Sequence, residues 1–239
     1  MRLLLTRPRQ KSEALAQMLK SRGHESVIEP LLSIVFRRDA EIKSATPQAL
    51  IITSANGAQA LSSHVQAQQF RQIPVYAVGQ ATADALGHFN VVHVGSNGVT
   101  ALEQTIRREL SPEKGVLSYV RGLHIAGNLA RNLSRSGFRV EEIIAYEAVE
   151  KDAFSPAVIG EIQSNHIDGI ILLSPRTAGV FCKLVKKAGL IKKLGGMTFY
   201  CLSQNVSDNI QIDGKDMNNQ IVIAETPTLT GLLNSIRVK

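Results

Sequence analysis

Short apolar runs alternate along the whole chain with segments whose apolar residues recur at helical spacing. The first run, residues 3–6, predicts a buried strand, and the apolar residues at 14, 15, 18 and 19 then lie on one face of a helix. Pro8 suits the first turn of that helix and Gly23 ends it. Residues 24–29 return as a strand, so the chain begins with a βαβ unit.

The same alternation predicts the remaining elements. Further strands are expected at 49–53, 74–78, 91–94, 116–120, 139–150, 168–173, 197–202 and 220–224. Helices follow most of them and end near 65, 86, 110, 135, 188 and 237, with another after 203–206 and a turn at Arg121-Gly122. Repeated strand–helix alternation is typical of a parallel, doubly wound α/β architecture.

The chain contains an internal repeat. The matches drift slowly along it: Arg7 with Arg121 (121 − 7 = 114), Ser54 with Ser174 (174 − 54 = 120), Gly79 with Ser203 (203 − 79 = 124) and Thr100 with Thr230 (230 − 100 = 130). Loop insertions would produce such a small, steady increase. We therefore predict a duplicated unit of five strands.

Two packings of the duplicated unit are open. Either each half folds alone, or the first βαβ of one repeat joins strands from elsewhere in the chain. We favour the second, in which residues 37–150 form one domain and residues 1–36 with 151–239 form the other. The crossings, near 30–36 and 143–150, are both extended in character and are expected to pair as a two-stranded antiparallel ribbon.

Composition narrows the function classes. The net charge is +7, which favours anionic partners, but the basic residues are scattered and form no tract that would indicate nucleic-acid binding. The two cysteines fit no metal or redox spacing and are typical of a reduced, cytoplasmic protein. The six histidines show no metal spacing, and no apolar run is long enough for a signal peptide or a membrane span. We expect a cytoplasmic monomer without cofactor, nucleic-acid or membrane partner.

Small, hydroxylated or basic residues follow the predicted strands, just before helix starts. Backbone N–H groups there, together with such side chains, favour anions at the carboxyl ends of the strands. The candidates for ligand binding are Thr6, Arg7, Ser54, Gly79, Thr82, Arg121, Ser174, Ser203, Asn205 and Thr228. For any single Ser, Thr or Asn, the alternative is an ordinary helix N-cap. Two facing domains would line a cleft with these groups.

Tyr146 is the candidate for chemistry. It lies in the extended stretch 143–150, at the boundary between the two halves of the chain. Its equivalent in the repeat is Leu32 (146 − 114 = 32), so the scaffold is repeated there but the phenol is not. The alternative is a core aromatic of the connecting ribbon.

Together, several short motifs resemble the uroporphyrinogen-III synthase family over essentially the full length. They read Leu-Leu-Thr-Arg-Pro at 4–8, Pro-Leu-Leu-Ser-Ile at 30–34, Ile-Thr-Ser-Ala-Asn-Gly at 52–57, Ala-Val-Gly-Gln-Ala-Thr-Ala at 77–83, Val-Arg-Gly at 120–122, Ala-Tyr-Glu at 145–147, Leu-Ser-Pro-Arg-Thr-Ala at 173–178 and Ala-Glu-Thr-Pro-Thr at 224–228. No single motif is specific, whereas their order and spacing are.

The resemblance implies a cofactor-free cyclising lyase of tetrapyrrole (heme) biosynthesis. Such an enzyme closes hydroxymethylbilane to uroporphyrinogen III with loss of water and inversion of the last pyrrole ring, and the resemblance allows hand-over from the preceding pathway enzyme. It assigns Tyr146 as general acid, since a phenol ordinarily keeps its proton at neutral pH. It also implies substrate binding by Ser54, Thr82, Ser174 and Thr228.

The chain departs from the family pattern at two places, and other functions compete. Residues 203–206 read Ser-Gln-Asn-Val where many relatives have a Gly and a Thr pair, and Arg121-Gly122 is followed by Leu-His-Ile where a more polar run is usual. One competitor is a two-domain protein that closes on a polycarboxylate or other anion without chemistry. Nucleic-acid binding rests on charge alone and would require a clustered basic face.

Overall fold

Strands and helices alternate through the residues that the computed structural model describes, which are 1–96, 98–125, 127–212 and 221–236. Up to residue 150 the elements are β1 (Arg2–Leu5), α1 (Arg9–Lys20), β2 (Glu25–Ile28), β3 (Leu32–Phe36), β4 (Ala49–Ile52), α2 (Ala55–Ser62), β5 (Val75–Val78), α3 (Gln80–Leu86), β6 (Val91–Gly95), α4 (Gly98–Glu109), β7 (Val116–Gly122), α5 (Leu129–Arg135) and β8 (Arg139–Glu150). Then come α6 (Pro156–Gln163), β9 (Gly169–Leu172), α7 (Pro175–Lys187), β10 (Thr198–Cys201), α8 (Gln204–Ser207), β11 (Ile221–Ile223) and α9 (Leu229–Ser235).

The chain divides into two compact units. We call Met1–Ser33 with Val149–Lys239 the terminal unit, and Ile34–Ala148 the central unit. The boundaries predicted from the repeat, 36/37 and 150/151, fall at the ends of β3 and β8, and the boundaries of the compact units fall inside the same two strands.

Each unit contains a parallel sheet with the same strand arrangement. The terminal unit has the order β11-β10-β9-β1-β2, all parallel, which is 2-1-3-4-5 when its strands are counted along the chain. The central unit has β6-β5-β4-β7-β8, which is 3-2-1-4-5 when its strands are counted along the chain, with β3 added beside β8. Strands that are equivalent by the repeat nevertheless lie at the same places in the two sheets. The strand order therefore reverses between β1 and β9 in one unit and between β7 and β4 in the other. Such reversals are the switch points where open α/β sheets bind ligands.

Strand registers bear out the repeat residue by residue. In the terminal unit Leu5 lies opposite Ile171 and Ile28. The sequence offsets convert these positions to Tyr119 (5 + 114), Ile51 (171 − 120) and Glu142 (28 + 114), which are paired in the same way in the central unit. The predicted fold class, two doubly wound parallel-sheet domains from a duplication, is confirmed.

The two crossings form the predicted ribbon. β3 lies beside β8. At one end the Arg37 N–H donates to the Ala145 carbonyl (2.8 Å), and at the other the Lys151 N–H donates to the Leu31 carbonyl (3.0 Å). The residue number rises on one strand as it falls on the other, so the pair is antiparallel.

The inner strands explain the apolar runs in the sequence. All residues of β4 and β9 are buried, because helices cover both faces of a doubly wound sheet. In the terminal unit one face packs around Phe181 and Phe199 and the other around Leu3 and Leu5.

Two local predictions are wrong. Arg121-Gly122 is not a turn, because β8 continues alongside and gives β7 hydrogen-bonding partners through Gly122. Helix α6 was not predicted, although Pro156 in its first turn and Ser155 as its N-cap are typical start signals. Gln220 and Arg237, placed in the last predicted strand and helix, lie outside the described residues.

Candidate functional site

Tyr146 lies at the switch point of the central unit. β4 ends at Ile52 and is followed by Thr53 and Ser54, while the neighbouring β7 ends at Gly122. Tyr146 is on β8, directly opposite Gly122. The chain thus brings three of the sequence motifs to the carboxyl edge of one sheet.

A hydrogen bond joins the phenol to a helix start. The Tyr146 Oη lies 2.9 Å from the Ser54 Oγ. Ser54 is the N-cap of α2, and its Oγ accepts the Gly57 N–H at 3.0 Å. Of the sequence-predicted candidates, Ser54 and Tyr146 are therefore brought into direct contact.

A bulge and a glycine make room for the phenol ring. The register of β7 and β8 shifts between Arg121 and Gly122, so that Arg121 faces Ile144 but Gly122 faces Tyr146. A Cβ at position 122 would lie 2.7 Å from Tyr146 Cε2 and 2.8 Å from Cζ. Bulges often re-aim side chains next to functional sites, and here only glycine leaves the space for the ring.

Tyr146 lines a cavity of about 570 Å³. The other lining residues are Thr53, Val99, Thr100, Glu103, Tyr119, His124, Ile125, Gly127, Asn128, Leu129 and Asn132. The Tyr119 Oη lies 3.1 Å from the Thr53 Oγ1, and burial raises the pKa of Tyr119. Sequence reasoning missed Tyr119 as a site residue; its position two residues before Arg121, on a strand that ends at the switch point, was the available signal.

Arg121 is already engaged within the central unit. Its Nε donates to Glu142 Oε2 at 2.6 Å, and its Nη1 donates to the Gly122 and Leu123 carbonyls at 2.8 and 3.2 Å. A ligand would have to compete with this ion pair. The geometry favours a structural role for Arg121.

The equivalent Arg7, at the switch point of the terminal unit, has a different environment. Its side chain is half-buried, and no described residue accepts a hydrogen bond from its guanidinium or pairs with it. Burial lowers the pKa of Arg7, although an arginine stays charged in proteins. An uncompensated, partly desolvated cation is suited to an anionic ligand.

Thr6 precedes Arg7 in the sequence, and Ser174 follows the neighbouring strand β9 across the switch point. Both side chains make hydrogen bonds within the protein. Thr6 is 1% exposed and donates to the Ile171 carbonyl at 3.0 Å, which favours a structural role. Ser174 is the N-cap of α7; its Oγ accepts the Thr177 N–H at 3.1 Å and lies 2.7 Å from the Thr177 Oγ1.

The remaining candidates lie at other strand ends and outside the Tyr146 cavity. Gly79, before α3, has φ +79°, a conformation that requires glycine, and Thr82 on α3 is buried. Ser203 precedes α8 without a side-chain cap bond, and Asn205 is exposed. Thr228 is exposed and caps α9 through the Gly231 N–H.

Other kinds of site receive no support from the described residues. Among them, no group of three or more His, Cys, Asp or Glu side chains could hold a metal ion. Within the same part of the chain, no helix has both the length and the apolar character to cross a bilayer. Cys182 and Cys201 are buried free thiols, and burial raises the pKa of Cys201 to about 12, so neither has the character of a nucleophile.

Fold and site together define a class: an α/β protein of two doubly wound units, with a tyrosine held at the edge of a cavity at one switch point. The family model described as "Uroporphyrinogen-III synthase HemD" matches residues 13–234. The chain belongs to the uroporphyrinogen-III synthase family, as the sequence motifs predicted.

Solved structures share the fold. The crystal structure of uroporphyrinogen-III synthetase from Helicobacter pylori matches with a TM-score of 0.62 and 19% identity, over 98% of this chain and 97% of that one. A mutant uroporphyrinogen III synthase from the extremely thermophilic bacterium Thermus thermophilus matches with a TM-score of 0.50 and 14% identity, over 98% and 96%. No curated protein sequence matches significantly.

Proposed function

We propose that this protein catalyses the cyclisation of hydroxymethylbilane to uroporphyrinogen III, with Tyr146 as the general acid. The observation that carries the proposal is the phenol at the edge of the cavity, fixed by Ser54 at 2.9 Å. Family membership supplies the reaction class, and the geometry supplies a proton donor in a place where ligands bind.

The reaction begins with loss of the substrate's hydroxyl group. Tyr146 protonates that oxygen, the C–O bond breaks, water leaves, and the electron pair of the pyrrole nitrogen stabilises the resulting cation as an azafulvenium ion. The substituted carbon of the last ring attacks this centre, and the spiro intermediate fragments and recloses with the ring inverted. The proton released when the ring regains aromaticity restores the phenol, so the net change is loss of one water.

The terminal unit offers groups suited to binding an anionic substrate. The substrate is a polycarboxylate, and Arg7 offers a half-buried guanidinium without an internal partner among the described residues. A charge-assisted, bidentate hydrogen bond to a carboxylate satisfies such a group. Ser174 and Thr228 add hydroxyls at helix starts, where the backbone also favours anions. Arg121 contributes less to substrate binding, because its guanidinium is already paired with Glu142.

We further propose a cytoplasmic setting. Both cysteines are free thiols, as expected in a reducing compartment. Because the linear substrate also cyclises spontaneously, direct hand-over from the enzyme that makes it would limit the uncatalysed type I product.

The test is isomer analysis. Purified protein is incubated with freshly made hydroxymethylbilane, and the oxidised products are separated by isomer. Excess type III product establishes the activity. Tyr146→Phe is expected to lower the rate about 100-fold, within the range for a lost general acid. Tyr76→Phe, which removes a phenol oxygen that contacts Glu109 and lies outside the cavity, is the matched control.

Two results would contradict the proposal. Only type I product at the spontaneous rate would rule out the cyclisation, and recovery of bound, unchanged substrate would then favour a binding protein. A Tyr146→Phe variant with full type III activity would leave the reaction standing but remove Tyr146 as its acid.

A further inference from the structure

Two contacts and a strand bulge fix the Tyr146 side chain. Its oxygen is bonded to Ser54, its ring lies against the backbone of Gly122, and its strand position follows from the bulge between β7 and β8. The phenol is therefore held in one place before any substrate arrives.

Either oxygen of the Ser54–Tyr146 hydrogen bond can be the donor, and the surroundings of Ser54 favour one direction. The Ser54 Oγ already accepts the Gly57 N–H at the start of α2. A hydroxyl that accepts such a bond in the positive field of a helix start is a better donor and a poorer acceptor. This favours the arrangement in which Ser54 donates to the phenol oxygen, and in that arrangement the single proton of Tyr146 points elsewhere.

The repeat provides an internal comparison. The terminal-unit equivalents of Tyr146, Gly122 and Gly57 are Leu32 (146 − 114), Pro8 (122 − 114) and Thr177 (57 + 120). In the terminal unit the hydroxyl of Ser174, the equivalent of Ser54, is bonded to Thr177. In the central unit Gly57 offers no side chain there, so the Ser54 hydroxyl is available to the phenol. Both glycines therefore occur only in the unit that also has the tyrosine.

We propose that Ser54 and Gly122 are positioning residues for Tyr146, a role that rests on the proposed function. Gly122 provides the space for the ring. Ser54 donates to the phenol oxygen, directs the phenol proton into the cavity and stabilises the phenolate left after proton donation. This differs from a role for Ser54 in binding the substrate itself.

Steady-state kinetics separate the two roles of Ser54. Ser54→Ala is expected to lower kcat about tenfold with KM changed less than twofold, and Ser54→Thr to restore kcat. Ser155→Ala removes the N-cap of α6 instead and is expected to retain kcat, which controls for cap loss. Gly122→Ala is expected to lower kcat about 100-fold, the size of effect that a displacement of roughly 1 Å produces.

A measurement on the resting protein does not depend on turnover. Protein that contains tyrosine labelled with ¹³C at Cζ gives NMR signals for its tyrosines. The signal of Tyr146 is the one that disappears in Tyr146→Phe. Ser54→Ala and Gly122→Ala are each expected to move this signal and leave those of Tyr76 and Tyr200 in place. Gly179→Ala is the control, because a Cβ at position 179 meets nothing within 4 Å.

The outcomes are distinct. A rise in KM at constant kcat for Ser54→Ala would make Ser54 a substrate-binding residue and overturn the proposal. An unmoved Tyr146 signal in Ser54→Ala and Gly122→Ala would also overturn it. Failure of the proposed function shows separately, as formation of only type I product at the spontaneous rate, while the resting-state signal still reports whether Ser54 and Gly122 hold the ring.

Discussion

At the switch point of the central unit, Arg121 is paired with Glu142 at 2.6 Å, whereas at the same point of the terminal unit Arg7 has no partner among the described residues. The position that carries Glu142 in one unit carries Ile28 in the other (142 − 114 = 28). Arg121 is thus paired within the central unit, whereas the equivalent position in the terminal unit offers Arg7 no carboxylate.

For the tyrosine, the distinctive side chains lie in the central unit and not in the terminal unit. The central unit has Tyr146 with Gly57 and Gly122 around it, and the terminal unit has Leu32 with Thr177 and Pro8 at the equivalent places. The duplicated scaffold is the same in strand order and register. The comparison therefore teaches that the two units share a scaffold but differ in the side chains at their switch points, as the proposed roles of Tyr146 and Arg7 require.

The crossings are anchored differently in the two units, and breaking the stronger anchor gives the largest expected effect. In the terminal unit the Glu29 carboxylate, 6% exposed, accepts hydrogen bonds from Lys151 Nζ at 2.6 Å and from Ser155 N at 2.7 Å. In the central unit the Arg37–Glu147 pair is much more exposed. Glu29→Ala is expected to cost about 2–3 kcal/mol of unfolding free energy, because it removes a buried carboxylate and leaves two partly buried donors unpaired.

Glu147→Ala is the matched variant, with an expected cost below about 1 kcal/mol because the pair faces solvent. Urea unfolding of both variants measures the difference. Equal costs would mean that the two anchors are equivalent and that burial of Glu29 adds nothing.

The arginine comparison is sharpened by moving a carboxylate between units. Ile28→Glu places a carboxylate at the position that Glu142 occupies beside Arg121, and we expect Arg7 to be neutralised and KM to rise about tenfold, about 1.4 kcal/mol of binding. Arg7→Gln is expected to raise KM by a similar factor. Initial rates of type III formation against substrate concentration give KM.

Ile28→Gln is the control for Ile28→Glu, since it has the same shape and polarity without the charge. A KM that rises as much in Ile28→Gln as in Ile28→Glu would show that disturbed packing, not capture of Arg7, is responsible.

The smallest expected effect concerns acid stability. His24 is 3% exposed, neither ring nitrogen has a hydrogen-bond partner in the described structure, and its repeat equivalent is the apolar Phe138 (24 + 114 = 138). Burial, together with the N-terminal ammonium and Arg22, lowers the pKa of His24. As pH falls through the unfolded-state pKa of about 6.5, the unfolded chain binds a proton that the folded protein does not. Stability therefore falls with acidification, down to the lower folded-state pKa.

His24→Phe is expected to reduce the stability lost between pH 7 and pH 5. His88→Phe, at an exposed histidine, is the control and is expected to leave the loss as it is. Unfolding midpoints at several pH values measure both, and an unchanged pH dependence in His24→Phe would contradict the prediction.

Much of the fold was predictable from the pattern of apolar residues. The long strand at 139–150 was predicted with its observed bounds, since β-branched and apolar residues run through it without Gly or Pro. The sequence offset of 114 between Arg7 and Arg121 also relates the strand pairings of the two units. Local signals failed at Arg121-Gly122, where pairing with β8 overrides the turn preference of glycine, and at α6, whose start signal at Ser155-Pro156 was not used.

The candidate site was only partly predictable. Tyr146 and Ser54 could each be named from the sequence, but not the hydrogen bond between them, and Tyr119 was not identified. Arg7 and Arg121 had equal standing as anion-binding residues until the structure placed Glu142 against one of them.

By itself, the sequence determined the alternation of strands and helices, the duplication and the position of the crossings. It also showed that Tyr146 has no tyrosine equivalent in the other repeat. These features follow from which residue types recur at fixed spacing along the chain. Only the tertiary structure decided which polar groups are already satisfied and which remain for a ligand. That depends on side chains far apart in the sequence, such as Ser54 and Tyr146, which are 92 residues apart. Strand register and a single bulge bring these two within hydrogen-bonding distance.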